Sequence, residues 1–187
     1  MNNYSEKFEK MRIAGKLASQ TLDMLTDHVK PGISTDKIDQ LGYEFINDNG
    51  GHSAPLYYRG FKKSLCTSLN HVVCHGIPSE RILNEGDVVN IDVTAIVNEY
   101  YGDTSRMYTV GEVSIKAKNL IDATYESMMN AIKILKSHRS LASYLNLKSA
   151  YIISSLTILP PWSQRTDQSA PSASPPLPPT RSTSPTA

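Results

Sequence analysis

Apolar and polar residues alternate over Val88–Val97. Val89, Ile91, Val93, Ala95 and Val97 form one face, and Asn90, Asp92 and Thr94 point the other way. Period two over this length predicts a strand. Asn98 and Glu99 supply a tight turn, and residues 100–110 supply a return strand, so 88–110 reads as a hairpin. Upstream the period changes. Phe8, Met11, Ala14, Leu17, Ala18, Leu22 and Leu25 recur at helical spacing over about residues 5–29, and Pro31-Gly32 ends that helix. Ser34 is a good N-cap for a second helix, with Asp36 and Asp39 in its first turn, Ile38, Leu41, Phe45 and Ile46 on its buried face, and Gly50-Gly51 at its close.

Residues 52–78 are mixed. Short strands are expected at 64–68 and 72–75, with Gly60, Gly76 and Pro78 marking loops and residues 84–87 turning into the hairpin. After the hairpin, Ala117, Leu120, Ile121, Met128, Ile132 and Leu135 mark one face of a third helix over 115–135. Its approach out of a loop resembles that of the first helix, a weak internal repeat whose second copy does not continue. From Ser137 the composition breaks. All ten glycines lie at or before Gly111 and eight of eleven prolines lie from Pro160 onward, so one pattern does not run through the whole chain. The expected organisation is a domain over 1–136, a segment of undefined character over 137–159, and a Pro/Ser/Thr-rich disordered or extended tail over 160–187.

The chemistry starts with two aspartates on the hairpin. A two-residue turn sets Asp92 opposite Ser105 and Asp103 opposite Thr94; a four-residue turn sets the two aspartates directly opposite. In both registers the carboxylates share a face, about 4.5–8 Å apart between Cβ atoms. A three-residue loop splits them unless a bulge restores the phase, and Gly102 is a natural place for a bulge or a close backbone approach. Two carboxylates on a half-buried face repel each other and lose hydration, a conflict that a divalent cation resolves. Two-metal hydrolases hold their ions about 3.5–4 Å apart. The competing reading is two solvated aspartates near a turn. Tyr57, Tyr58 and Phe61 read either as core or rim packing or as a pocket wall, His75 either as a loop histidine bonding backbone or as a substrate contact, and Cys74 as a small buried hydrophobe.

Composition narrows the field. The chain has 187 residues and a net charge of +1, which gives no support to nucleic-acid binding or to a charged membrane surface. No apolar run approaches the roughly 18 residues of a membrane span. The polar N-terminus does not read as a signal peptide. Cys66 and Cys74 make no disulfide framework, so reduced thiols in a cytoplasm are expected.

Three motifs in order carry a resemblance: N-H-V-V-C-H-G-I-P over residues 70–78, V-N-I-D-V-T over 89–94 and Y-G-D-T-S over 101–105, with K-S-L-C-T-S over 63–68 and Ala54-Pro55-Leu56 ahead of them. Over about residues 5–136 the chain resembles the bacterial-type methionine aminopeptidases. The resemblance implies an α/β (α+β) pita-bread fold, two pseudo-symmetric halves around a curved antiparallel sheet, of which this chain holds the N-terminal pseudo-repeat and the start of the second. It implies removal of the initiator methionine from nascent proteins. The substrates are then N-terminal Met peptides, and the ribosome is a candidate partner.

It also implies two divalent metal ions (Co, Mn, Fe or Zn), with Asp92 chelating one and Asp103 bridging both. The metal polarises the methionyl carbonyl as a Lewis acid. By the same resemblance His75 is the catalytic histidine that contacts substrate near the scissile bond. Tyr58, Phe61 and Cys66 line the pocket for the methionine side chain, and Asn70 and Val72 match a monovalent-cation site. The sequence departs from the family where three further ligands belong, a Gly-His-Gly histidine and two glutamates. After His75 the only histidine is His138, without flanking glycines, and after Glu126 there is no glutamate. A reading frame lost near Lys136 is one expectation. An inactive peptide- or ribosome-binding half-domain and an unstable product with an exposed sheet edge are the alternatives, and a proline-specific aminopeptidase is a remote one.

Overall fold

The structure, a computed structural model, describes residues 4–137, and side chains as far as residue 133. The segments expected over 138–187, with His138, lie outside the described residues, as does the side chain of Leu135. In chain order the elements are α1 (Tyr4–Leu25), α2 (Thr35–Asp48), β1 (His52–Ser53), a 3-10 turn (Ala54–Tyr57), β2 (Cys66–Leu69), β3 (Val88–Val97), β4 (Tyr100–Thr109) and α3 (Ile115–Ser137). The chain divides into two units, Met1–Glu126 and Ser127–Ala187, and the first holds every site candidate.

β3 is the spine of a four-stranded antiparallel sheet. β4 pairs along its whole length, from Val97↔Tyr100 to Val88↔Thr109. β2 (Cys66↔Asp92 to Leu69↔Val89) and β1 (His52↔Ile96, Ser53↔Ala95) therefore share its other edge. The alternation read from the sequence is the burial pattern. Val89, Ile91, Val93 and Ala95 are fully buried, and they form one core with Leu17, Ala18, Leu22 and Leu25 of α1, Ile38 and Ile46 of α2, and Leu65, Leu83, Tyr108 and Val110. Each such aliphatic side chain contributes roughly 1.5–3 kcal/mol on burial.

α1 lies against the sheet at Ala14 and Gly15, where Gly102 of β4 faces it so closely that a Cβ there would overlap the Ala14–Gly15 backbone. The strand ladder runs through Gly102 without interruption, so this glycine serves close approach and not a bulge. The far end of α1 is tied down by β4. Tyr108 donates its hydroxyl hydrogen to the Leu22 carbonyl (2.7 Å), and Arg106 donates to Asp23 (2.7 Å) and to the Thr26 hydroxyl (3.3 Å).

Several expectations are corrected. α1 stops at Leu25, short of residue 29, because the Leu22 carbonyl accepts from Tyr108 and from the Thr26 hydroxyl (3.1 Å) while the Thr26 amide turns to Asp23 (3.2 Å). Phe8 and Met11 are exposed, not packed. N-terminal to Ala14 the helix reaches the turn end of the hairpin, with the Lys10 ammonium 5.7 Å from the Tyr100 ring centroid. Residues 72–75 are not a strand. Asn70 (φ 53°) and His75 (φ 54°) both turn left-handed and bend the segment into a loop, which leaves Val73 and Cys74 exposed. The strand expected at 64–68 is β2, two residues later, since Ser64 and Leu65 are held by Asp39 instead of the sheet. β1 and the 3-10 turn carry no periodic signal in so few residues.

Candidate metal centre

The turn decides where the aspartates fall. Asn98 (φ 49°) and Glu99 (φ 69°) are both left-handed, the conformation of a two-residue turn whose twist matches that of the flanking strands. The register is therefore Asp92↔Ser105 and Thr94↔Asp103, and the two carboxylates are diagonal neighbours on one face. They face away from α1, on the side of the sheet opposite the apolar alternation. Asp103 is exposed and Asp92 half-buried. Burial raises the Asp92 carboxyl above the usual aspartate range. The charge of Asp103 and a hydrogen bond with it push the same way, and His75 opposes them. The register sets Asp92 and Asp103 on one face, and His75 is near enough for its charge to act on the Asp92 carboxyl.

Cys66 joins them through the sheet, directly opposite Asp92 on β2. Burial pushes its thiol up to about 11, with Asp92, Asp39, Cys74 and Asp103 adding to the effect. A thiol so disfavoured as a thiolate stays protonated at neutral pH and behaves as a soft apolar wall.

His75 is carried by the 70–78 loop, which two bonds at Gly76 help to fix to β2. The Thr67 amide donates to the Gly76 carbonyl (2.8 Å), and the Gly76 amide donates to the Ser68 hydroxyl (3.1 Å). A Cβ at Gly76 would overlap the Thr67 carbonyl, so glycine is required for this contact. Tyr58 and Phe61 sit on the loop that joins β1 to β2. The Phe61 amide donates to the Tyr58 carbonyl (3.0 Å). The Arg59 guanidinium lies 5.3 Å from the Tyr58 ring centroid, while Tyr58 is 64% exposed and Phe61 partly covered. The structure thus gives Cys66 a firm place beside the carboxylates and leaves Tyr58 standing in solvent at the rim.

Asn70 and Val72 line a surface pocket of about 220 Å³ with Thr35, Thr67, His71 and Arg81. The Asn70 side chain is occupied: its amide donates to Asp87 (2.8 Å), and its oxygen accepts from the Val88 amide (3.0 Å).

Asp39 is a residue the sequence pattern places too loosely, as a helix-start charge. It is buried, and its Oδ1 accepts from the Ser64 amide (2.8 Å), the Ser64 hydroxyl (2.6 Å) and the Leu65 amide (3.0 Å). It aims β2, and so Cys66, at Asp92. The available signal was its place on one helical stripe with Thr35, Gly42 and Ile46, all buried.

In kind, the donor set fits a hard divalent cation: two carboxylates on one face, one of them half-buried. In number it is half a site, since among the described residues no third His, Cys, Asp or Glu joins the pair to make a metal-holding group.

Comparison with known proteins agrees with this geometry. The model of metallopeptidase family M24 matches residues 9–155. A methionine aminopeptidase of Rickettsia prowazekii is 56% identical over 134 residues, 71% of this chain and 52% of the relative. The crystal structure of methionine aminopeptidase from that organism superposes with a TM-score of 0.67 at 57% identity, covering 68% of this chain and 52% of that one. An X-Pro aminopeptidase from Thermotoga maritima shares the fold at 19% identity (TM-score 0.58, 68% of this chain and 34% of that one). The chain spans about half the length of the curated relatives it matches. The α+β architecture is the pita-bread fold expected from the motifs, about half of it present. A paired-carboxylate hairpin, the surrounding fold and a family match over most of the sequence converge: the chain belongs to metallopeptidase family M24.

Proposed function

We propose that the described residues form one side of a methionine aminopeptidase centre. Asp92 and Asp103 hold divalent metal, His75 meets the substrate, and Cys66, Phe61 and Tyr58 wall the methionine side chain. The observation that carries the reading is the pairing of Asp92 with Asp103 beside His75, directly across from the un-ionised Cys66. When bound, the metal (Co, Mn, Fe or Zn) supplies Lewis-acid polarisation of the methionyl carbonyl. The chain's own residues then have separate tasks. His75, exposed on a loop pinned to β2, donates a hydrogen bond toward the carbonyl oxygen as charge builds there. Cys66 offers a soft, neutral surface to a flexible thioether. Phe61 and Tyr58 close the rim. The substrates this wall suits are N-terminal methionyl peptides of newly made proteins, met in the cytoplasm at or near the ribosome. No described helix is long and apolar enough to cross a membrane.

The family reaction needs ligands that this chain's residues do not supply: no glutamate follows Glu126. The chain should therefore bind divalent metal through Asp92 and Asp103 and release no methionine. The test is Met-Ala-Ser peptide with added Mn²⁺ or Co²⁺, followed by methionine release. Metal binding without release is the expected result. Metal-dependent cleavage that Asp92→Ala or Asp103→Ala abolishes would show the centre to be complete, against this reading. A chain that binds no metal would remove its basis. The absent ligands favour a second reading, a half-domain that holds Met peptides without hydrolysing them. Saturable binding of the same peptide by a chain that does not cleave it supports that reading.

A further inference from the structure

We propose that Ser68 is the positioning residue of His75, its hydroxyl drawing the 70–78 loop onto the sheet face that carries Asp92. The inference rests on the reading that His75 meets the substrate there. Cys66 lies opposite Asp92 and Ser68 opposite Asn90, so in an alternating strand both β2 side chains share the face of Asp92. Ser68 is buried, and its hydroxyl oxygen accepts from the amide of Gly76 (3.1 Å), the residue next to His75.

The two bonds at Gly76 do different things. The Thr67 amide donates to the Gly76 carbonyl (2.8 Å), backbone to backbone, and keeps the loop beside β2. The bond to Ser68 ends on a side chain that stands out of the sheet, so it pulls the Gly76 amide toward the Asp92 face. That amide belongs to the peptide unit joining His75 to Gly76, so fixing its direction fixes the His75 backbone. His75 has φ 54°, a costly region for a residue with a side chain, which persists only where the surroundings hold it. Burial and Asp103 raise the Asp92 carboxyl and His75 opposes them, so the imidazole charge reaches that carboxylate.

Other contacts hold the ends of the loop without Ser68. The Asn70 amide donates to the Val88 carbonyl (2.9 Å) and the Val72 amide to the Leu69 carbonyl (3.0 Å). At the far end Pro78 is buried, and the Ser79 amide donates to the Thr35 hydroxyl (2.9 Å). Removing the Ser68 hydroxyl therefore leaves the loop attached and frees the His75 backbone. That separates a positioning role from a structural one.

The test is nuclear magnetic resonance of the full chain, read at His75 in the parent and in Ser68→Ala, Ser68→Cys and Ser68→Thr. In EDTA, a left-handed residue gives a strong Overhauser signal between its own amide and Hα protons, and the parent should show it at His75. Ser68→Ala removes the acceptor and Ser68→Cys weakens it, so each should lose roughly half of that signal or more, while Ser68→Thr, which keeps a hydroxyl, should retain it. In Mn²⁺ the His75 ring signal should broaden in the parent and in Ser68→Thr, and less in the other two variants. An Overhauser signal absent from the parent, undiminished in Ser68→Ala and Ser68→Cys, or lost equally in Ser68→Thr overturns the proposal. So does undiminished broadening in Ser68→Ala and Ser68→Cys. An Overhauser signal that responds as expected in a chain whose His75 ring Mn²⁺ never broadens counts against the metal centre and leaves the role of Ser68 standing.

Discussion

At neutral pH the fold keeps an aspartate on a half-buried sheet face beside a second carboxylate, and the Asp92 carboxyl is accordingly raised by burial first and by Asp103 second. This fixes the sign of the pH effect. A group whose folded value lies above its unfolded one contributes nothing against the fold below the unfolded value and weighs against it once pH passes the folded value. Asp92→Asn should therefore make the metal-free protein more stable than the parent at pH 7, with the gap closing as pH falls below the ordinary aspartate range. Urea melts at pH 7 and pH 3 check this; an Asn variant less stable at pH 7 contradicts it. Asp87 behaves in the opposite sense. The Asn70 amide lowers its carboxyl, so this contact stabilises above the usual aspartate range and is lost as pH falls. At this scale the sequence was readable for the placement of Asp92 and Asp103, which the two-residue turn sets on one face of the hairpin. It placed Asp39 only as a helix-start charge, because the three bonds its Oδ1 accepts come from residues 25 and 26 positions away.

The hairpin is the element that converts sequence into site. Its register depends on two left-handed residues, and Glu99 at φ 69° is a poor choice for the second. Glu99→Gly should stabilise the protein by about 1 kcal/mol, because glycine enters that region without the side-chain penalty. Chemical denaturation measures it; a loss of stability would mean that the turn is not of this type. Gly102→Ala, by contrast, drives a methyl into the Ala14–Gly15 backbone and should cost about 1–3 kcal/mol or more, while moving α1 off the strand that carries Asp103. The variant should lose metal affinity along with stability. Strand alternation and the Ser34 cap, whose hydroxyl accepts from the Lys37 amide (3.1 Å), were legible because both are local. The end of α1 was not, because Tyr108 and Arg106, more than eighty residues away, determine where Leu22 and Asp23 find their partners.

Across the molecule, the first unit has its apolar core on one side of the sheet and the two aspartates on the other, while α3 adds no described residue to that core. The core was visible in the apolar periods of α1, α2 and β3; the loop course of 70–78 was not, since it depends on positive φ at Asn70 and His75 and on contact with β2. The open face accompanies a chain that spans about half of its relatives, and on it stand Asp92 and Asp103, the two side chains proposed to hold metal. A Mn²⁺ titration of the parent chain, of Asp92→Asn, of Asp103→Asn and of the double variant, read by isothermal calorimetry, addresses that pair directly. The parent should bind Mn²⁺, each single variant should bind at least tenfold more weakly, and the double variant, which removes both donors, should bind more weakly than either single. Undiminished binding by the double variant would place the metal elsewhere and contradict the assignment.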